Sequence, residues 1–227
     1  NNEKNSISLE DLTFNYGNNK KLLENLNVEF LSGRVSVIEG PSGTGKSSLL
    51  SLILKECNPL KGNIKINNFP LKKLSKYSFY KNLSFVSQSP FIFGTSILDN
   101  IKIGDPNATR EDVINAARES GALSYINKLS NKFDFFVDDS GTNLSGGQCQ
   151  LISLTRAILK DAPIILLDEP SNNLDKKSIT KLKDLFLCWA KENKLIIVIT
   201  HDLRLIDERF DIYNVKDFNL VKKQISK

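Results

Sequence analysis

The chain contains no methionine. A natural reading frame opens with that residue, whereas this sequence opens Asn1-Asn2-Glu3-Lys4. No charged segment followed by an apolar one stands there, so no signal peptide is expected in these residues. Two origins fit this start: processing or cleavage, or a domain cut from a longer chain. Long apolar runs are missing as well. Runs such as Ile164–Leu167 and Leu195–Ile199 fall far short of the roughly 18 apolar residues that a membrane-spanning helix needs. Cysteine is scarce. Cys57, Cys149 and Cys188 are odd in number and show no CxxC spacing, against a disulfide framework and against a zinc site. A reducing, cytosolic setting is the expectation.

What is present is ordinary for a globular protein. Of 227 residues, 40% are apolar and 25% charged, which argues against wholesale disorder and allows one domain or two small ones. Gly (12) and Pro (7) are too few for a fibrous or low-complexity chain. The net charge is +5, from 31 basic and 26 acidic residues. Basic residues are scattered, with no run of five. That pattern reads as a solvated surface and gives no sign of a nucleic-acid partner.

Ile7–Phe14 and Leu26–Phe30 alternate as strands do, with a turn-rich Asn15–Lys21 between them. Arg34–Glu39 is a third strand, followed by a glycine-rich turn and a helix from Lys46 to about Lys55. Gly62–Asn67 and Leu83–Ser87 read as further strands. Residues about 95–128 read as helical, and Asp139–Asn143 as a polar turn. From Ser145 onward Leu151, Leu154 and Ile158 recur at helical spacing, until Pro163 stops the helix. Ile164–Asp168 and Leu195–Ile199 are continuous apolar strands, the kind buried on both faces of a parallel sheet. Between them Ile179, Leu182, Leu185 and Trp189 mark one face of a helix. Alternation of this kind means an α/β fold with a parallel sheet. The last dozen residues are weakly patterned, and no internal repeat is visible.

Gly40-Pro-Ser-Gly-Thr-Gly-Lys-Ser47 fits GxxxxGK[ST] between a strand and a helix. Its glycines let backbone N–H groups turn to a phosphate, and the helix start adds partial positive charge. Gly40, Pro41, Ser42, Gly43, Thr44, Gly45, Lys46, Ser47 and Ser48 are therefore expected at a nucleotide. Lys46 would reach the terminal phosphates and the Ser47 hydroxyl would bind Mg²⁺. Asp168, closing an apolar strand, would hold Mg²⁺ through water, and Glu169 is placed to polarise an attacking water. Leu144-Ser-Gly-Gly-Gln148 is a second anion site of the same kind, or merely a Ser145 N-cap. One nucleotide has few free phosphate edges once the first loop wraps it. Two such sites about a hundred residues apart therefore predict a two-fold, head-to-tail dimer with shared nucleotides.

With these motifs in place, the chain from about Ile7 to Tyr213 resembles the nucleotide-binding domain of ATP-binding cassette (ABC) transporters. Gly40–Ser47 resembles its Walker A loop, Ile164–Asp168 its Walker B strand, and Leu144–Gln148 its LSGGQ signature without a change. The resemblance implies a P-loop ATPase fold with a mixed sheet core, an antiparallel β subdomain and a helical subdomain. The core and β subdomain would take about 1–87 and 161–227, and the helical signature subdomain about 88–160. It implies ATP and Mg²⁺ as cofactors. Ser145, Gly146, Gly147 and Gln148 would then meet the nucleotide of a second copy. It implies that Tyr16 stacks on adenine, that Gln88 senses Mg²⁺ and water, and that His201 contacts the terminal phosphate. Asp175 would order the dimer interface, or only cap the helix that begins at Lys176.

Ser87–Ile101 and Val137–Gly141 resemble the exporter forms of the segments that touch a membrane domain. The implied partner is a transmembrane domain with coupling helices, preceding Asn1 in one polypeptide, with the ATPase at the cytoplasmic face of the cell membrane. Two features depart from the family. Cys149 replaces the usual polar or basic residue after the signature; it reads as a harmless helix-surface variant, the alternative being an oxidisable thiol beside a phosphate site. Asn172 and Asn173 stand where exporters have small residues. A soluble ATPase of the same superfamily, acting on ribosomes or DNA, is the alternative.

Overall fold

The structure, a computed structural model, describes residues 4–17, 21–41, 43–216 and 218–223. Strands β1 (Ser6–Asn15) and β2 (Lys21–Leu31) pair antiparallel as expected. β3 (Arg34–Glu39) leads through the glycine loop into α1 (Lys46–Ile53). β4 (Lys61–Ile66) and the two-residue β5 (Phe69–Pro70) join β1 and β2 in one sheet of order β2-β1-β4-β5. A short α2 (Lys76–Lys81) then precedes β6 (Leu83–Val86).

The segment read as one helical stretch is three helices: α3 (Ile97–Lys102), α4 (Arg110–Ser120) and α5 (Leu123–Ile126). The breaks have local causes. Thr109 and Asp112 form a reciprocal capping box at the start of α4, and Gly121 ends it in the left-handed conformation with φ +86°. α6 (Gly146–Lys160) ends at Asp161, also left-handed, before Pro163. β7 (Ile164–Asp168), α7 (Lys176–Lys191) and β8 (Leu195–Thr200) follow as the apolar patterns predict. The weakly patterned tail makes a hairpin of β9 (Asp211–Lys216) and β10 (Asn219–Lys222).

The second sheet has the order β10-β9-β3-β8-β7-β6, with only β10 antiparallel to its neighbour. Alternate residues of its central strands feed opposite cores. Ile164, Leu166, Ile197 and Ile199 pack with α1 and with β1 and β2. Ile165, Leu167, Ile196 and Val198 pack under α7. Each such side chain contributes roughly 1.5–3 kcal/mol on burial, so both layers are anchored through the same two strands. A third cluster, with Ile97, Ile101, Val113, Ile126 and Ile152, holds the helices together around α6.

Candidate nucleotide site

The glycine loop hangs from the carboxyl end of β3, a central parallel strand, where α/β sheets collect ligands. Gly45 caps α1 with φ +95°, and a Cβ there would stand 3.1 Å from the Leu22 carbonyl oxygen. The backbone angle and the close neighbour together demand glycine. No side chain caps α1, so its first N–H groups stay available to an anion. Lys46 is buried and its Nζ donates to the carbonyls of Gly40 (2.7 Å) and Pro41 (2.6 Å). Burial pushes its pKa down, opposed by the charges of Glu169 and Asp168. The Thr44 hydroxyl donates to the Pro41 carbonyl at 2.9 Å. Ser42 lies outside the described residues.

β7 brings Asp168 opposite the first turn of α1. The Ser47 hydroxyl lies 3.4 Å from its Oδ1. Burial raises the Asp168 pKa, the Ser47 hydrogen bond lowers it, and Glu169 adds to the rise. Glu169 leaves the strand with φ +49° and is buried, while its N–H still donates to the Ile199 carbonyl at 2.8 Å. Its carboxylate is clamped by the end of the neighbouring strand. Oε1 lies 2.7 Å from His201 Nδ1, and Oε2 accepts from the Thr200 hydroxyl and the His201 N–H, each at 3.2 Å. Thr200 was not among the expected residues. Its signal is a lone hydroxyl ending an otherwise apolar strand, next to the only histidine.

A cavity of about 700 Å³ opens over these groups. Tyr16, Gly43, Gly45, Lys46, Ser47, Ser48, Gln88, Glu169 and His201, all expected at a nucleotide, line it. Tyr16 is 60% exposed and meets Phe14 edge-on at 4.9 Å, so much of its ring stays open to solvent. The Ser47 and Asp168 oxygens are hard donors. No group of three or more His, Cys, Asp or Glu among the described residues could hold a metal alone. Such a set fits Mg²⁺, which binds through one or two protein oxygens with phosphate and water supplying the rest.

The signature segment lies apart and does not line that cavity. Ser145 caps α6, accepting from the Gln148 N–H at 3.3 Å while Gln148 Oε1 accepts from the Ser145 N–H at 2.7 Å. A Cβ on Gly147 would stand 2.5 Å from the Asn173 carbonyl oxygen, and one on Gly146 2.8 Å from Asn173 Nδ2. Asn173 has φ +60°, a conformation that Asn tolerates better than most residues. This loop therefore seats on the signature glycines, a contact not foreseen from sequence. Asp175 also stands outside the cavity. It caps α7, accepting from the Ser178 N–H at 2.8 Å, which holds its carboxyl below the ordinary range. Cys149 is half-buried, and burial pushes its thiol pKa up, away from the reactive thiolate.

The two exporter-like segments meet. Ser96 and Phe136 form a β-bridge, the Val137 N–H donates to the Thr95 carbonyl at 2.9 Å, and a Cβ on Gly94 would collide with Asp139. Arg156 of α6 binds the first of them. It donates to the Asn100 carbonyl (2.7 Å), the Phe91 carbonyl (2.6 Å) and Asn100 Oδ1 (2.6 Å). Burial lowers its pKa to about 10. A lone arginine among apolar residues at helical spacing is the sequence signal that could have found it.

A strand, glycine loop and helix facing an acidic strand end define a P-loop ATPase fold. The chain belongs to the ABC transporter family, whose model matches residues 23–172. It is 34% identical over 220 residues to an ATP-dependent lipid A-core flippase of Desulfotalea psychrophila, covering 97% of this chain and 38% of that protein. It is 31% identical over 222 residues to the beta-(1-->2)glucan export ATP-binding/permease protein NdvA of Rhizobium etli, covering 98% and 38%. A solved bacterial Atm1-family ABC exporter with ATP bound superposes with a TM-score of 0.90 at 28% identity, over 96% of this chain and 38% of that one. The chain thus spans less than two fifths of the length of these relatives. No helix among the described residues is long and apolar enough to cross a membrane.

Proposed function

We propose that the chain is the ATP-binding and ATP-hydrolysing domain of a membrane exporter. The observation that carries this is the Glu169 carboxylate, clamped 2.7 Å from His201 and sharing one cavity with Lys46 and Ser47. Lys46 exchanges its two loop carbonyls for phosphate oxygens, and the open start of α1 donates its N–H groups to them. Tyr16 stacks on the adenine ring. Ser47 and Asp168, with Gln88 alongside, would hold Mg²⁺, which would neutralise charge on the transferred phosphoryl group. Glu169 orients and deprotonates the attacking water, and His201 steadies both the carboxylate and the terminal phosphate.

Ser145, Gly146, Gly147 and Gln148 serve the nucleotide held by a second copy, with Asp175 ordering the interface. Their place outside the cavity supports a head-to-tail dimer with two shared nucleotides. The helical part, about 88–160, carries this signature, while about 1–87 and 161–227 form the core and β part. A groove of about 280 Å³ lined by Phe85, Phe91, Phe93 and Ile103 receives a segment of the membrane domain, so the domain works at the cytoplasmic face. Glu169→Gln is expected to lower Mg²⁺-dependent ATP turnover by about 10²–10⁴-fold and to leave an ATP-bound dimer visible by size exclusion. Normal turnover in that variant would remove Glu169 from the role of base.

A further inference from the structure

The scattered charge of the sequence conceals a one-sided surface. From Cys57 to Leu98 the chain has six lysines and no Asp or Glu. Lys65 is paired, 2.6 Å from Glu10. Lys61, Lys72, Lys73, Lys76 and Lys81 are exposed and form no ion pair among the described residues. Four of these five crowd the ten residues 72–81, on and just before α2. Two more lysines bracket the helix. Lys55 Nζ donates to the Leu74 carbonyl at 2.6 Å, before α2 starts. Lys160 Nζ donates to the carbonyls of Tyr80 (2.8 Å) and Leu83 (2.7 Å), where α2 ends. The acids that bound this stretch, Glu56 and Asp99, are engaged by the hydroxyls of Ser51 (2.8 Å) and Ser96 (2.6 Å).

This basic face has a definite neighbour. Lys160 also lines the groove of Phe85, Phe91, Phe93 and Ile103. Phe91 and Phe93 meet edge-on at 4.8 Å and are 61% and 47% exposed. Tyr77, 80% exposed, stands on α2 among the lysines. This slot, where the aromatics stand with Ser84, Ser87, Ser153 and Arg156, accepts side chains from a ridge, whereas a flat lipid surface cannot enter it. Lys160, which lines the groove and holds the Tyr80 carbonyl, places the end of α2 beside it, so the lysine charge on and before α2 bears on whatever fills the slot.

We infer that the α2 face binds acidic side chains flanking the apolar residues of the segment that docks in the Phe91–Phe93 groove. The inference rests on the reading of that groove as the membrane-domain seat, and adds the partner's chemistry. Salt-sensitive attraction through α2 orients the segment before its apolar ridge settles.

The test uses two fluorescent helical peptides with one apolar ridge, flanked by Glu in one and by Lys in the other. At low salt the protein is expected to bind the Glu-flanked peptide at least about tenfold tighter, the difference shrinking at high salt. Joint reversal of Lys72→Glu, Lys73→Glu and Lys76→Glu should invert that preference and leave nucleotide binding unchanged. Joint Phe91→Ala and Phe93→Ala should weaken both peptides equally. Equal binding of the two peptides by wild-type protein, with the Phe91/Phe93 variant still impaired, overturns the acidic-partner inference and spares the groove. Binding indifferent to the Phe91/Phe93 change removes the groove reading itself. Lysine-dependent sedimentation with phosphatidylglycerol vesicles, absent with phosphatidylcholine, together with peptides that bind alike, assigns the face to lipid and also overturns the inference.

Discussion

The molecule has two helix starts that we propose as anion sites, and they are finished differently. α1 begins at a left-handed glycine with no side-chain cap, and Lys46 folds onto its own loop. α6 begins at Ser145 with a closed capping box, in which Gln148 and Ser145 satisfy each other. The first start is therefore poised, since a phosphate has only to draw one ammonium from two carbonyls. The second is self-satisfied, and an incoming phosphate must replace hydrogen bonds already made. Nucleotide should load first at α1 and engage α6 only when a second surface brings it there. The difference lies in caps and not in motifs, which are glycine-rich at both places.

Breaking this contrast at its stronger end has the largest effect. Lys46→Ala removes the charge-assisted contacts, worth about 1.5–3 kcal/mol, and nucleotide affinity should fall by about 10- to 100-fold in fluorescent-nucleotide titration. At the other helix, Gly147→Ala drives a Cβ to 2.5 Å from the Asn173 carbonyl oxygen. Overpacking of this kind costs about 1–3 kcal/mol. Melting should show that loss, and ATP-driven dimerisation should fail while monomeric nucleotide binding survives. Ser145→Ala has the smallest effect, about 1 kcal/mol for a lost cap, a fall in Tm of roughly 2–4 °C. Should Ser145→Ala impair first-site nucleotide binding as much as Lys46→Ala does, the division of labour between the two starts is wrong.

Much of this was legible before any coordinates. The apolar runs Ile164–Leu167 and Leu195–Ile199 announce buried parallel strands because a strand packed on both faces needs no polar side. The glycine loop announces α1 because its spacing is a geometric requirement. Less was legible where structure depends on partners distant in sequence. The tail strand β10 has little pattern of its own and exists because β9 offers it an edge. The helix α2 holds a single buried residue, Phe79, among six, too few to show periodicity. The seating of Asn173 on Gly146 and Gly147 joins two loops and leaves no periodic trace. The lysine face was missed for a different reason. A search for runs of positive charge passes over a stretch defined by its lack of negative charge.

The position of β3 carries a consequence for synthesis. Its partners on either side are β8 and β9, drawn from Leu195–Lys216, at the far end of the chain. On a ribosome the finished glycine loop must wait, its strand bare at both edges, until Leu195–Lys216 has emerged. The cluster around α6 is assembled from residues between Ile92 and Ile152 and meets no such delay. Loop-closure entropy makes distant strand pairing the slow event, and unpaired edges are where chains stick to one another. Truncation just before Leu195 should therefore leave an insoluble chain that still contains an ordered helical cluster.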